Sequence, residues 1–412
     1  MAIASSSTSR FPTMISPAEA YRMMIDATSP LPAIRVPLRH ALGKVLAETV
    51  HADRNYPPFR RAMMDGYAVS LASAGQAIGV IGRQAAGAAP SEQIVTAQEC
   101  MEIMTGAVCP SGTDAVVQKE HVRREGNQVV LPAVIERGGH IAEPGSDCLA
   151  NEAFLKPGDL VTPLALAALA SVGRQEVAII PSPRMAVIIT GAELVRGSQP
   201  LREGQIRDSN GPMLTALTVQ AGLAEPECRL VGDDRTAIRG ALEDCDDCDL
   251  IVLSGGASAG DLDFVPGVLA DWGAEILFHK VRQKPGKPLL LARRGPSRIF
   301  ALPGNPLACH FCFCRYVQAA VARMQGRGHA RIGEGRLASP LRPDRGRTRF
   351  VPAKVEQEHS PQPAWRIEPL PGLSSADIFH SHQANAYVEV PPGADELPAG
   401  TAVAITFFER WP

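Results

Sequence analysis

DLIVLSGGASAGDLDF, residues 249–264, is the stretch on which the reading of this chain turns. An apolar run, Leu250 to Leu253, stops abruptly in a loop of glycine, serine and alanine that closes on Asp261 and Asp263. The run reads as a buried strand. Free backbone N–H groups in such a loop suit a phosphate, and the carboxylates suit a hard metal ion. Taken alone, the loop reads first as a tight turn with a solvated acidic edge, because short Gly-rich stretches are common.

Outward from this loop, strands and helices alternate. MAVIIT (185–190), CRLVGDD (228–234) and SRIFALPGNP (297–306) read as strands. NGPMLTALTVQAG (210–222) reads as a helix capped by Asn210 and closed by Gly222. RTAIRGALEDC (235–245), FVPGVLADWG (264–273) and LACHFCFCRYVQAAVARM (307–324) read as further helices. This alternation predicts a mostly parallel sheet with helices on both faces. In such sheets ligands bind outside the carboxyl ends of the strands. That singles out TGAEL (190–194), VGDD (231–234), SGGASAGDLDF (254–264) and LPGNP (302–306).

The flanking regions differ in texture. Residues 16–28 read as a helix with the capping box Ser16-Pro17-Ala18-Glu19. Residues 55–147 are rich in short strands and turns, and a second helix is expected from Asp159 to Gly173, with Pro163 near its start. A β-rich unit is therefore inserted between segments that pack together. Beyond residue 328, Arg, Gly and Pro mark a linker, and AYVEV (386–390) and TAVAITFFE (401–409) alternate as strands of a small β-barrel. The N-terminal MAIASSSTSR has no apolar core and reads as a disordered tail.

Composition narrows the class. The chain has 412 residues, 45% apolar and 20% charged, with a formal net charge of −2. Nothing in that balance indicates nucleic-acid or membrane binding. The longest dense apolar stretch, Leu164 to Ala170, falls far short of a membrane span of about 20 residues. These features point to the cytoplasm. Nine cysteines, an odd number, argue against a disulfide framework. Cys245 with Cys248, and Cys309 with Cys312 and Cys314, have spacings that zinc uses. The second group falls in an apolar helix, where cysteine acts as a small hydrophobe, so no metal is expected there.

Three features carry chemistry. Glu193, Asp233, Asp261 and Asp263 each follow a strand. Three strand-end loops each supplying a carboxylate would make a cation site, better suited to Mg²⁺ than to zinc. In HKVRQKPGKP (279–288), an extended backbone projects Lys280, Arg282 and Lys284 from one face, with Lys287 beyond a Pro-Gly turn. Such a face needs an anion or an acidic partner, unless it is a solvated edge strand guarded by lysines. In LPGNP, Asn305 is placed to cap the next helix and Pro306 to occupy its first turn, an arrangement that attracts an anion or simply starts a helix well. Asp65-Gly66-Tyr67 in PPFRRAMMDGYAV (57–69) reads as a turn in an unusually Met- and Arg-rich stretch. Lys119 lies in the strand-rich half, with no expected anion-site neighbours.

Taken together, MMDGYAV (63–69), IMTGA (103–107), GSD (145–147), TGAEL, SGGASAGDLDF, KPGKP (284–288) and LPGNP resemble, in order, the motifs of the MoeA family. These are molybdopterin molybdenumtransferases related to the E domain of gephyrin. The resemblance implies an α/β multidomain fold. It places an elongated linker domain at 12–54 and 148–181, with a β-rich domain inserted at 55–147. A MoaB/Mog-like doubly wound α/β domain that binds molybdopterin follows at 182–328, and a C-terminal β-barrel at 329–412, leaving 1–11 as the tail. It implies Mg²⁺-dependent insertion of molybdate into adenylylated molybdopterin with release of AMP, in a homodimer whose site is shared between subunits. The adenylyltransferase that makes the substrate would act upstream, and molybdoenzymes or their chaperones downstream.

By motif, Asp65, Glu193, Asp233, Asp263, Lys280 and Lys284 would carry catalysis. Thr105, Asp147, Ser254, Gly255, Gly256, Lys287, Pro303, Gly304, Asn305, Pro306 and Ser375 would bind substrate, with Glu193 and Asp263 on the metal. Asp65, Thr105 and Asp147 would come from one subunit and Glu193, Asp233, Asp263, Lys280, Lys284, Pro303 and Pro306 from the other, with Ser375 contributed by the barrel. The chain departs from the family at Arg60, where an acid is usual, and at Ala192, where TGDEL is usual. It also departs at Ala142 and Glu143, in place of an Arg-rich stretch, and at Pro352, where Arg is common. These departures keep open a weakened paralogue that binds molybdopterin or acts as a scaffold, and a tungsten-inserting sibling.

Overall fold

Met185–Thr190 and Leu250–Ser254 are buried along their whole length, and their side chains alternate between two apolar clusters. Met185, Val187, Ile189, Leu250 and Val252 pack on one face with Phe300 and Leu302. Ala186, Ile188, Ile251 and Leu253 pack on the other with Ile299 and Ala301. Burial on both faces is why these strands read as unbroken apolar runs. Each fully buried branched side chain contributes roughly 1.5–3 kcal/mol.

The structure is a computed structural model that describes residues 13–256, 264–328, 332–357, 365–370 and 374–408. It divides into two units, Arg35–Ala178 and the described residues up to Ile34 with those from Ile179 onward. The second unit holds a seven-stranded sheet. Its order is Thr13–Ile15, Glu275–Val281, Leu290–Arg294, Ser297–Leu302, Leu250–Ser254, Met185–Thr190 and Glu227–Val231. Leu290–Arg294 runs antiparallel to both neighbours, and the other pairings are parallel. Ser254 pairs with both Ile189 and Leu302, and Thr190 with Val231. Four strands therefore end at one rim.

Helices Pro17–Asp26 and Asn210–Gln220 pack on the first cluster through Ala20, Met24, Leu214 and Leu217. Arg235–Glu243 and Val265–Asp271 pack on the second through Ile238, Val268 and Leu269. Ser16 Oγ caps the first helix by accepting the Glu19 N–H at 3.1 Å. The helix expected from Asp159 starts only at Pro163, because Thr162 Oγ1 accepts the Ala165 N–H at 3.1 Å and sets the boundary.

The helix expected at 307–324 is three pieces, Pro306–Cys312, a π turn at Phe313–Val317, and Gln318–Met324. It carries the C-terminal barrel. Phe311 stacks on Phe350 with ring centroids 4.4 Å apart and meets Tyr387 edge-on at 5.1 Å. Arg315 pairs with Glu389 at 3.1 Å. Cys309, Cys312 and Cys314 are buried in this core, and burial pushes the Cys309 thiol up to about 12. The barrel closes when Thr348–Gln357 pairs both Trp365–Pro369 and Ala386–Val390. Outside it, Gln283–Lys284 adds in parallel to Thr348 and Arg349.

In the other unit a six-stranded sheet runs Arg123–Glu125, Gln128–Val130, Ala77–Gln84, Glu99–Ile103, Gly66–Val69 and Ala115–Gln118. On either side of it in sequence, Val50–His51 pairs with Ala153–Leu155, and Glu176–Ile180 lies between Ile34–Pro37 and Val45–Leu46. No helix among the described residues is long and apolar enough to cross a membrane.

Candidate functional site

The rim where four strands end opens into a cavity of about 1040 Å³. Its floor is made by close backbone approach. Gly255 has φ +104°, and a Cβ there would lie 2.2 Å from the Thr190 carbonyl oxygen, so the turn requires glycine. Asn210, expected to cap its helix, does something else. The capping position is Ser209, which makes no side-chain bond, and Asp208 Oδ1 accepts the Gly211 N–H at 2.8 Å. Asn210 Nδ2 instead donates to Ser254 Oγ at 2.9 Å and to the Gly304 carbonyl at 2.8 Å. Ser254 Oγ in turn donates to the Pro303 carbonyl at 3.3 Å. One buried amide thus ties two strand-end loops together.

The acidic wall is less satisfied. Thr190 Oγ1, Asn210 Oδ1 and Asp233 Oδ1 are buried without a hydrogen-bond partner among the described residues. The Asp233 carboxyl is held above its ordinary range, by burial first and by the charge of Glu193 second. Glu193 also lines the cavity, and its carbonyl accepts the Ile206 N–H at 2.9 Å. A cation between these two carboxylates would relieve their repulsion and give Asp233 Oδ1 a partner, so the residues present fit one. Asp261 and Asp263 lie outside the described residues. Among the described residues no cluster of three or more His, Cys, Asp or Glu is placed to hold a metal ion.

On the cationic side, the alternation expected for 280–284 holds in exposure. Val281 and Gln283 are buried, Arg282 and Lys284 are exposed, and Lys280 is half-buried. The backbone is not a regular strand, because Lys280 has φ +68°. Lys284 and Lys287 line the cavity, whereas Lys280 and Arg282 stand outside its lining. Arg282 Nη2 donates to the Met14 carbonyl at 3.1 Å. The Lys-Pro-Gly-Lys turn is anchored by Gln283, whose Nε2 donates to Gly286 O at 3.0 Å and whose Oε1 accepts from Tyr316 at 2.7 Å.

Asn305 precedes its helix as expected, with Pro306 in the first turn, but its side chain makes no cap. It donates to Ser375 Oγ at 2.7 Å, while the Ser375 carbonyl accepts the Ala308 N–H at 3.1 Å. Ser375 is thereby held on the rim. Glu193, Asp233, Ser254, Gly255, Gly256, Lys284, Lys287, Pro303, Gly304, Asn305, Pro306 and Ser375 all line this one cavity.

Asp65, Thr105 and Asp147 belong to the other unit. Asp65 Oδ1 accepts the Thr105 N–H at 2.8 Å and the Thr105 hydroxyl at 2.7 Å. These bonds, the backbone one first, hold its carboxyl below the usual range. Lys119 Nζ lies 3.8 Å from Asp65 Oδ2, so it is a neighbour of a candidate residue and not the bystander expected from sequence. Asp147 lies 3.7 Å from Arg61 and accepts from Ser146 Oγ at 3.3 Å. Arg60 Nε donates to both Glu143 oxygens, at 3.0 and 3.2 Å. Arg60 and Glu143, read from sequence as separate departures, therefore form one ion pair. Asp208 had no motif to announce it, Thr190 was not singled out within TGAEL, and Asn210 and Lys119 were read in other roles.

Comparison with known proteins agrees along the chain. Residues 15–173 match the family model described as MoeA N-terminal region (domain I and II). Residues 186–323 match the probable molybdopterin binding domain, and 334–408 match the MoeA C-terminal region (domain IV). The chain is 32% identical over 401 residues to a molybdopterin molybdenumtransferase of Staphylococcus aureus, covering 95% of each. It is 30% identical over 407 residues to one from Staphylococcus epidermidis, covering 96% of each. The crystal structure of a molybdopterin biosynthesis MoeA protein from Pyrococcus horikosii superposes with a TM-score of 0.79 at 28% identity. That match covers 97% of this chain and all of the other.

Proposed function

The chain belongs to the MoeA family of molybdopterin molybdenumtransferases, enzymes of molybdenum-cofactor biosynthesis, and on that premise we propose that it inserts molybdate into adenylylated molybdopterin with release of AMP. The observation that carries the reading is the cavity itself. Lys284 and Lys287 line one part of it, and Glu193 and Asp233 another. Molybdate is a dianion and the adenylyl diphosphate is also negative, so fixed positive charge is required to bring them together. Lys284 and Lys287 supply it. Gly255 and Gly256 let the backbone approach the diphosphate. Asn210 holds the Ser254 and Gly304 loops in one arrangement, so that little reorganisation is needed when substrate binds.

Glu193 and Asp233 would hold Mg²⁺, with Asp263 as the further ligand expected from the motif. When bound, the ion offsets charge on the diphosphate. Cleavage of the phosphoanhydride bond consumes one water and gives AMP and the molybdopterin phosphate, while the molybdopterin sulfurs would bind molybdenum in place of molybdate oxygens that leave as water. The lysines would hold the phosphates until AMP dissociates. Asp65, Thr105 and Asp147 would complete the site from a second subunit of a homodimer, and Lys280 would add to the positive field from outside the cavity lining. The four-part division at 55, 148, 182 and 329 remains part of this reading. So do a cytoplasmic setting, an upstream adenylyltransferase and downstream molybdoenzymes.

Purified protein incubated with adenylylated molybdopterin, Mg²⁺ and molybdate should yield molybdopterin that carries molybdenum in a near one-to-one ratio by elemental analysis. Molybdopterin recovered metal-free, with the substrate intact, would contradict the reading.

A further inference from the structure

Lys284 and Lys287 are separated only by Pro285 and Gly286, and both line the cavity. Behind this turn lies a buried polar pair that the transfer chemistry does not call for. Gln283 and Tyr316 are both 0% exposed. The Tyr316 hydroxyl donates to Gln283 Oε1 at 2.7 Å, and Gln283 Nε2 donates to the Gly286 carbonyl at 3.0 Å. A phenol and an amide buried together must satisfy each other, whereas an apolar pair of the same shape would be nearly neutral for the fold. The polar pair therefore points to a second task.

The pair joins the lysine turn to two other elements. Tyr316 lies in the π turn Phe313–Val317, where the extra residue changes the angles at which successive side chains leave the helix. Its neighbour Arg315 reaches the barrel instead, pairing with Glu389 and donating to Thr406 Oγ1 at 3.2 Å. Gln283 also pairs through its backbone with Thr348, the first residue of the long barrel strand, and Lys284 with Arg349. On the sheet side, the Val281 N–H bonds the Lys287 carbonyl at 2.8 Å and closes the loop. A Cβ on Gly286 would lie 2.6 Å from Cys312 Sγ, so the turn rests directly on the helix that carries Tyr316 into place.

We propose that Gln283 and Tyr316 are positioning residues, which fix the spacing at which Lys284 and Lys287 meet the anionic groups of the substrate. The inference rests on the functional reading above and deepens it. Gln283 borders the cavity but is fully buried, so it acts through the backbone of the turn and not by contact with substrate. Lysine carries its charge on a long flexible stem, so two ammonium groups converge well on one anion when their backbone is held in register. Loss of the pair leaves both charges present and misplaced.

The test compares wild type with Tyr316→Phe, Gln283→Met, the double variant and Tyr387→Phe, by calorimetric titration of the full-length protein with inorganic pyrophosphate and by thermal melting. Tyr316→Phe leaves Gln283 Oε1 buried without its donor, so the melting temperature should fall. The double variant removes both partners, and the Gly286 carbonyl keeps the Leu289 N–H at 3.2 Å, so the melting temperature should return most of the way to wild type. Pyrophosphate affinity should nonetheless stay down by about tenfold or more in all three, because a small misplacement of binding groups is costly. Tyr387→Phe removes a hydroxyl from the same core, one that meets His310 Nδ1 at 2.8 Å. It should lower the melting temperature without moving pyrophosphate affinity. A double variant that binds pyrophosphate like wild type, or a Tyr387→Phe shift in affinity as large as that of Tyr316→Phe, would leave the pair a purely structural contact and overturn the proposal. A wild-type protein with no measurable pyrophosphate binding would overturn it as well. A wild type that shows the predicted pattern but never metallates molybdopterin would support the positioning role and contradict the functional reading alone.

Discussion

Asp65 and Asp233 come from motifs of equal standing in the sequence, and the structure gives them opposite surroundings. Asp65 accepts two hydrogen bonds from Thr105 and faces Lys119, and its carboxyl is held low. Asp233 is partly buried, has one oxygen without a partner among the described residues, faces the charge of Glu193, and is held high. The first carboxylate is satisfied by its own chain. Among the described residues the second meets no cation, only burial, the charge of Glu193 and the Thr190 hydroxyl, which suits the proposed ligand role.

The largest effect that sharpens this contrast is expected from Asp233→Asn. It removes a cavity carboxylate and its repulsion with Glu193, so turnover should fall by about a hundredfold or more while the melting temperature stays level or rises. A variant with full activity would break the comparison. Next comes Lys284→Gln, which removes one charge from the cavity. Apparent affinity for molybdate should weaken by roughly five- to a hundredfold, the equivalent of a charge-assisted contact of about 1–3 kcal/mol. Lys156→Gln is the control, because Lys119 faces Asp65. Equal shifts in both variants would place the anion elsewhere.

Asn210→Ala is expected to act on the fold of the rim. It strips donors from Ser254 Oγ and Gly304 O, at a cost of about 1–3 kcal/mol, read as a lower midpoint in chemical denaturation. Asn210→Asp should be worse, since a carboxylate would face the Gly304 carbonyl. The smallest effect is in pH. Asp65 is held below its ordinary value of 3.8, so it stabilises the fold above that value and the contribution is lost as pH falls through its lower folded value. Asp233 is raised above 3.8, so its penalty is absent at low pH and appears as pH rises through its folded value. The melting-temperature difference between wild type and Asp65→Ala should therefore shrink in acid, and the gain in Asp233→Asn should shrink there too. A pH-independent difference in both would contradict the assigned surroundings.

The sheet was legible because strands buried on both faces leave continuous apolar runs, as in Leu250 to Leu253, and because Gly255 follows at a turn that only glycine can make. The loops that line the cavity were legible for the same reason, since parallel strands send them to one rim. Less legible were the partners of polar side chains. Asn210 and Asn305 both stand at the start of a helix, where local sequence favours a capping role. Their amides instead reach Ser254, Gly304 and Ser375, residues 44, 94 and 70 positions away, and no local pattern announces such distances. The same holds for Lys119 with Asp65 and Arg60 with Glu143. Lys280 differs again: the alternation in exposure holds, but its left-handed backbone departs from a regular strand and it stands outside the cavity lining.

The most direct measurement is AMP release by the wild-type protein from adenylylated molybdopterin, with molybdate and Mg²⁺ supplied singly and together. Substantial release only when both are present, saturating with each, is the predicted result if, as proposed, the carboxylate pair and the lysines that line one cavity serve one reaction. Release that proceeds at full rate without molybdate, or that ignores Mg²⁺, would contradict it.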